Sequence, residues 1–197
     1  MIKEYQTKSN VVINAWFIFI LLVLGLTSIV KADCFKQTLD KQSDFSDCVK
    51  LSNRGNVSAQ YNLGLMFSVG LGTTQDYKKA FEWYKKAAEQ GYAPAQYNLG
   101  SMFVNGQGTT EDHKQAFEWY KKAAEQGEVD AHDILGAMFY SGQGTTQDYV
   151  MAHMHWNVAA SSGKESAKEY RILVEKSMTS SQVEKAQELA REWVDKH

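Results

Sequence analysis

An all-α fold, a solenoid of αα-hairpins, is predicted by three observations. A 36-residue unit is written three times in a row, starting at Ala59, Ala95 and Ala131. Landmark residues recur in step: Gly64, Gly100 and Gly136, then Asp76, Asp112 and Asp148, then Gly91, Gly127 and Gly163. Inside each unit the apolar residues follow helical spacing, and no stretch alternates as a strand would. A fixed period of this length marks units that bury their apolar faces only against their neighbours. The first two copies agree at 26 of 36 positions and the second and third at 15, so the third unit is where the chain departs from its own pattern.

The N-terminal residues precede that pattern. A polar start carrying Lys3 and Lys8 leads into the apolar run from Val11 to Val30, then Val30-Lys31-Ala32. This layout predicts a secretory signal peptide over 1–32, cleaved after Ala32. The rival reading is an uncleaved N-terminal membrane anchor, since roughly 20 apolar residues span a bilayer. Either places the remainder outside the cytoplasm, periplasmic or secreted, or anchored in an inner membrane and facing the periplasm. Asp33 before Cys34 disfavours a lipoprotein site. Beyond residue 32 there are 18 basic and 22 acidic residues, a net charge of −4. That balance excludes the basic stripe that nucleic acid requires. The two cysteines, Cys34 and Cys48, are an even pair in an oxidising compartment and predict one disulfide. Such a loop would add about 3 kcal/mol in the chain-entropy model. The rival is one buried thiol and one disordered one.

Residues 33–58 are read as an N-terminal capping segment, with Phe45 to Leu51 a worn second helix closed by Gly55. The units follow as 59–94, 95–130 and 131–166. Each opens with a helix whose apolar residues in the first copy are Ala59, Leu63, Met66 and Phe67. Gly64 costs that helix about 1 kcal/mol against Ala, so its return in every unit predicts another helix passing close by. Gly70 and Gly72 end the helix and open the turn. Asp76 is the expected N-cap of the second helix, whose apolar side carries Ala80, Trp83, Tyr84, Ala87 and Ala88. Glu82–Lys86 and Glu118–Lys122 have the spacing of i,i+4 ion pairs. Residues 167–197 are expected to form C-terminal capping helices. Thr179 and Gln182 have capping-box spacing, and Val183, Ala186, Leu189, Ala190, Trp193 and Val194 share one side of the last helix. Tyr149 to Ser162 lacks any charged residue. Either the closing helix covers this segment, or it is an apolar patch for a partner.

The order Ala59, Leu63-Gly64, Phe67, Gly70-Leu71-Gly72, Asp76, Ala80, Trp83-Tyr84, Ala87-Ala88 and Gly91 resembles the Sel-one-like repeat, a relative of the tetratricopeptide repeat. The resemblance covers Ala59 to Ser166. It implies a right-handed αα-superhelix that binds other proteins, commonly as an adaptor. Aligning Leu63-Gly64 with the Leu-Gly of the tetratricopeptide repeat implies a concave wall. Its residues are Tyr61, Leu65, Ser68 and Val69, then Tyr97, Ser101, Val104 and Asn105, then Asp133, Ala137, Tyr140 and Ser141. The last three positions of each set change in every unit while the scaffold repeats, as a shaped binding wall would show; drift at exposed sites is the rival. Cysteine-rich relatives reported to act on β-lactams carry a cysteine pair in each unit. Units here carry none.

No catalytic residue, cofactor site or metal site is expected. His153 and His155 are two apart on a helix and face different ways, and His155 stands where Trp83 and Trp119 stand, as a packing variant. His132 and Asp133 have no nucleophile to serve. The Gly-x-Gly-Thr-Thr turns lack the Lys-Ser/Thr of a phosphate loop and read as connectors. Asn56-Val57-Ser58 fits a glycosylation acceptor in a eukaryotic secretory route. The expectation is therefore a monomeric exported adaptor whose partner is a protein or peptide held on the concave wall. An immunity-type periplasmic inhibitor of a secreted toxin enzyme is the alternative, and an envelope hydrolase a weaker one.

Overall fold

The computed structural model describes Cys34 and residues 41–197; the expected signal or anchor segment lies outside them. The described residues form α1 (Lys41–Asn53), α2 (Val57–Val69), α3 (Tyr77–Glu89), α4 (Ala93–Asn105), α5 (His113–Ala124), α6 (Val129–Ser141), α7 (Tyr149–Ser161), α8 (Glu165–Glu175) and α9 (Ser180–Lys196). They contain no strand. The predicted all-α hairpin solenoid is what forms. Each second helix packs on its own first helix and on the first helix of the next unit. Among the described residues no helix is long and apolar enough to cross a membrane.

The turns have the chemistry read from the sequence. Asp76, Asp112 and Asp148 each accept a hydrogen bond at Oδ1 from the third backbone N–H beyond them, at 3.0–3.1 Å. Thr179 and Gln182 close a reciprocal capping box. The recurring mid-helix glycine has the packing reason expected of it. A Cβ on Gly64 would stand 2.7 Å from the Tyr84 ring, and on Gly136 2.6 Å from the Trp156 indole. The expected Glu82–Lys86 ion pair does not form. Lys86 Nζ lies 4.0 Å over the Trp83 ring instead, and Lys122 lies over Trp119 in the same way. A cation on the face of an indole contributes about 0.5–1 kcal/mol even when exposed, more than a solvated i,i+4 pair does.

Two ladders join successive units. Gln60 donates to the Ser52 carbonyl, Gln96 to the Ala88 carbonyl and His132 Nε2 to the Ala124 carbonyl, at 3.2–3.3 Å. Beside them stand edge-to-face rings: Phe45 on Phe67, Phe81 on Phe103 and Phe117 on Phe139, with centroids 5.2–5.5 Å apart. Each rung lies 36 residues beyond the last. At the fourth rung the phenylalanines give way to His153 and Glu175, joined at 2.8 Å. His153 is fully buried and its Nδ1 has no partner. Glu175 is about a third exposed and also lies 3.9 Å from Arg171, so the unsatisfied end of the pair is the buried imidazole. A half-satisfied pair is often no more stable than well-packed apolar residues. Thus His153→Phe with Glu175→Phe, which restores the rung, should raise stability by about 1–2 kcal/mol. Urea unfolding would check this; a double variant less stable than the parent would show the polar rung to be the better fit.

The C-terminal end closes differently from a unit. α8 carries Ile172 where the units have Gly64, Gly100 and Gly136, so no ring can lie against its backbone. α9 accordingly packs on α7 rather than on α8. Ala190 buries with Met154 and Val158, and Met151, Leu189 and Trp193 pack around them. The charge-free α7 is therefore covered by the closing helix, which decides between the two readings left open. Val194 was expected on the packed side; it is 49% exposed. At the other end Cys34 and Cys48 are bonded through sulfur, with Cα atoms 4.9 Å apart, and both are fully buried.

Candidate protein-binding surface

The expected wall residues lie on α2, α4 and α6, and the structure separates them into three roles. Tyr61 and Tyr97 are largely packing groups. Tyr61 meets Tyr92 edge-on at 5.2 Å and Tyr84 at 5.7 Å, and Tyr97 leans on Tyr120 at 5.5 Å. Burial raises the pKa of both phenols. Leu65, Ser68 and Ser101 come together around one recess of about 190 Å³ between the first two units, with Tyr84, Asn98 and Met102. Val69, Asn105, Ala137, Tyr140 and Ser141 are exposed and Val104 is half-buried. Asn105 and Ser141 are partly spent on their own helix ends, donating to the carbonyls of Ser101 and Ala137 at 2.8 and 2.9 Å.

The third unit ends the wall with charge and aromatic rings. Asp133, where the other units have tyrosine, accepts from Ser166 Oγ at 3.2 Å. Lys164 bridges to Asp130 and reaches Asp133 at 4.0 Å. The hydrogen bond that Lys164 donates to Asp130 raises the Lys164 pKa and so keeps the ammonium charged. Tyr140 stands against Tyr149 and Trp156, and Trp156 against Tyr170. Tyr140 and Tyr170 are partly open to solvent.

The sequence reading missed the pairing of the histidines. His132 Nδ1 and His155 Nδ1 are 2.9 Å apart, buried beneath the Trp193 ring. The signal was present as an offset: His132 stands where Gln60 and Gln96 make the same backbone bond. Burial lowers the two pKa values to about 4 and about 3, so both rings are neutral at neutral pH. No group of three or more His, Cys, Asp or Glu is placed to hold a metal among the described residues. In the recess, the Ser68 and Tyr84 hydroxyls are 3.5 Å apart. No histidine or carboxylate lines it to take a proton, and burial pushes the Tyr84 phenol far above its usual range. Hydrogen bonding, rather than proton transfer, is the chemistry this arrangement offers.

The Sel1 repeat model matches residues 57–92, 93–128 and 129–164, over half of the chain. The chain belongs to the Sel1 repeat family. Sel1 repeats are generally non-catalytic modules of protein–protein interaction. Three solved structures are similar to this Sel1 repeat protein. One is c5321, a protective antigen present in uropathogenic Escherichia coli strains and displaying an SLR fold. It is 34% identical over 84% of this chain and 35% of its own, with a TM-score of 0.73. A Sel1 repeat protein from Oxalobacter formigenes is 28% identical over 77% of this chain and 62% of its own, with a TM-score of 0.65. The Helicobacter pylori cysteine rich protein B is 25% identical over 68% of this chain and 97% of its own, with a TM-score of 0.53. The chain thus spans about a third of the first and under two thirds of the second. No curated protein sequence shows significant similarity to it.

Proposed function

We propose that this Sel1 repeat protein is an exported adaptor that holds a peptide or protein edge along α2, α4 and α6. The observation that carries the reading is the contrast between constant scaffold and varied wall. Leu65, Ser101 and Ala137 occupy one position, Ser68, Val104 and Tyr140 the next, and Val69, Asn105 and Ser141 the third, while the residues around them repeat. Three wall positions that change in every unit, set among Leu-Gly and Met-Phe pairs that never change, fit selection for a partner, and aromatic side chains such as Tyr140 commonly anchor such contacts. Export is supported by the charged start, apolar run and Val30-Lys31-Ala32. A similar structure being that of a protective antigen agrees with presentation outside the cytoplasm.

Tyr61 is a poor choice for testing the wall, because it supports Tyr84. Val104→Lys with Tyr140→Ala changes the wall at a half-buried and an exposed position. Val104 also packs against the core and Tyr140 against Trp156, so the helical signal is the control. In affinity capture from envelope and culture fractions, this pair should release a stoichiometric partner that the parent chain holds, with the helical signal unchanged. Equal capture by both proteins would move the binding surface elsewhere. N-terminal sequencing of the exported chain should begin at Asp33; recovery from the cytoplasm alone would overturn export.

A further inference from the structure

We infer that the joint between the first two units is an anchor pocket for an uncharged, hydrogen-bonding side chain of a bound peptide, an amide or a hydroxyl. The inference rests on the wall being the binding surface. Neither α2 nor α4 contains a single Asp, Glu, Lys or Arg, and although α3 and α5 are rich in Lys and Glu, none of those charged residues lines the recess. Leu65 and Met102 supply apolar lining, and Ser68, Tyr84, Asn98 and Ser101 bring polar atoms to the same recess. These groups are partly spent inside the molecule and keep part of their capacity. Ser68 Oγ donates to the Leu65 carbonyl at 2.8 Å and stands 3.5 Å from the Tyr84 hydroxyl, which leaves a lone pair to accept. The Asn98 amide hydrogen-bonds the Tyr61 and Tyr84 phenols, and with two N–H donors and a carbonyl of two lone pairs it keeps capacity for a guest. A guest amide or hydroxyl finds donors and acceptors there. A guest ammonium or carboxylate loses water and meets no countercharge, which is the expensive case.

The size of the recess, about 190 Å³, admits one side chain rather than a folded edge. The next joint is chemically distinct. Thirty-six residues on, Ser68 becomes Val104, Asn98 becomes Ile134 and Ser101 becomes Ala137. Those three hydrogen-bonding positions are lost, while Leu65 becomes Ser101, and Tyr84 and Gln107 are kept as Tyr120 and Gln143. A peptide crossing both joints therefore presents a polar, uncharged residue to the first and a less polar one to the second. The occupant is a peptide of that pattern, not an acidic or basic tail.

The test is a selection from a random peptide display library on the full chain in mild detergent. Parallel selections use Ser101→Asp, Gln107→Glu and Val104→Lys, each checked for its helical signal. Gln107 also lines the recess, so it carries the charge if Ser101→Asp does not fold. The parent chain should enrich a motif with Asn, Gln, Ser, Thr or Tyr at one position. The acidic variants should shift that position to Lys or Arg by about tenfold. A charged residue at the anchor of the parent motif overturns the pocket. So does a motif that the acidic variants leave unchanged while Val104→Lys abolishes it; in that case the wall still binds. No motif above background, or one indifferent to all three variants, defeats the wall reading and the pocket with it.

Discussion

Gly108→Ala should separate the first unit from the second and lower stability by at least about 3 kcal/mol, the size reserved for strain and overpacking at a rigid site. The added Cβ would stand 2.1 Å from the Tyr77 carbonyl oxygen and 2.6 Å from its carbon. That neighbour is backbone at the start of α3, so no side-chain rotation relieves the contact. Gly108 also has a φ of 73°, a region where a side chain adds roughly 1 kcal/mol of its own. Gly142 is the control. It has nearly the same φ, 75°, but its nearest contact would be 3.5 Å away, an ordinary van der Waals distance. Gly142→Ala should therefore show the conformational penalty alone, about 1 kcal/mol. Urea midpoints for the two variants would separate the terms. Equal losses would mean that the connector yields at the joint, and that Gly108 is kept only for its dihedral angle.

The solenoid was legible because its cause is periodic. Turn glycines, the capping aspartates and the paired alanines each recur at the same offset, and a helix hairpin needs little else. The mid-helix glycine was legible as a close approach, although not the ring that approaches it. Less legible was what happens when the period is kept and the residue is changed. His132 in place of glutamine, His153 in place of phenylalanine and Glu175 in place of phenylalanine each occupy a scaffold position. Their meaning depends on which two changed positions meet across a joint. His132 meets His155, and His153 meets Glu175, over 22 or 23 residues of chain that a local reading does not connect. Ile172 was legible in principle: an isoleucine in the glycine column forbids a fourth hairpin, and α9 then has only α7 to cover. At the wall, position along the helix identified which residues face outward, but not that Tyr61 and Tyr97 serve mainly as supports. That distinction depends on Tyr92 and Tyr120, which lie on other elements.

Acid should destabilise the C-terminal end through the imidazole pair. The Ala124 carbonyl can only accept, so His132 Nε2 carries its proton and its Nδ1 is a lone pair. His155 Nδ1–H then donates across the 2.9 Å gap. One proton fits between the two rings; a second would set N–H against N–H in a site sealed by Trp193 and Phe139. Burial is the main cause of both lowered pKa values, about 4 for His132 and about 3 for His155; His197 adds to the first and His132 to the second. Because the folded values lie below the ordinary 6.5, the unfolded chain binds more protons as pH falls through 6.5, and stability falls with it. The loss runs at about 1.4 kcal/mol per pH unit for each ring and levels off below the folded values. Between pH 7.5 and 4.5 the two rings together should remove on the order of 3 kcal/mol or more. His132→Gln tests the assignment, since glutamine makes the same backbone bond at Gln60 and Gln96 and can accept from His155. That variant should lose about half as much stability over the same range, because one titrating ring remains. An identical pH dependence in parent and variant would place the acid sensitivity on the carboxylates and leave the pair as packing alone.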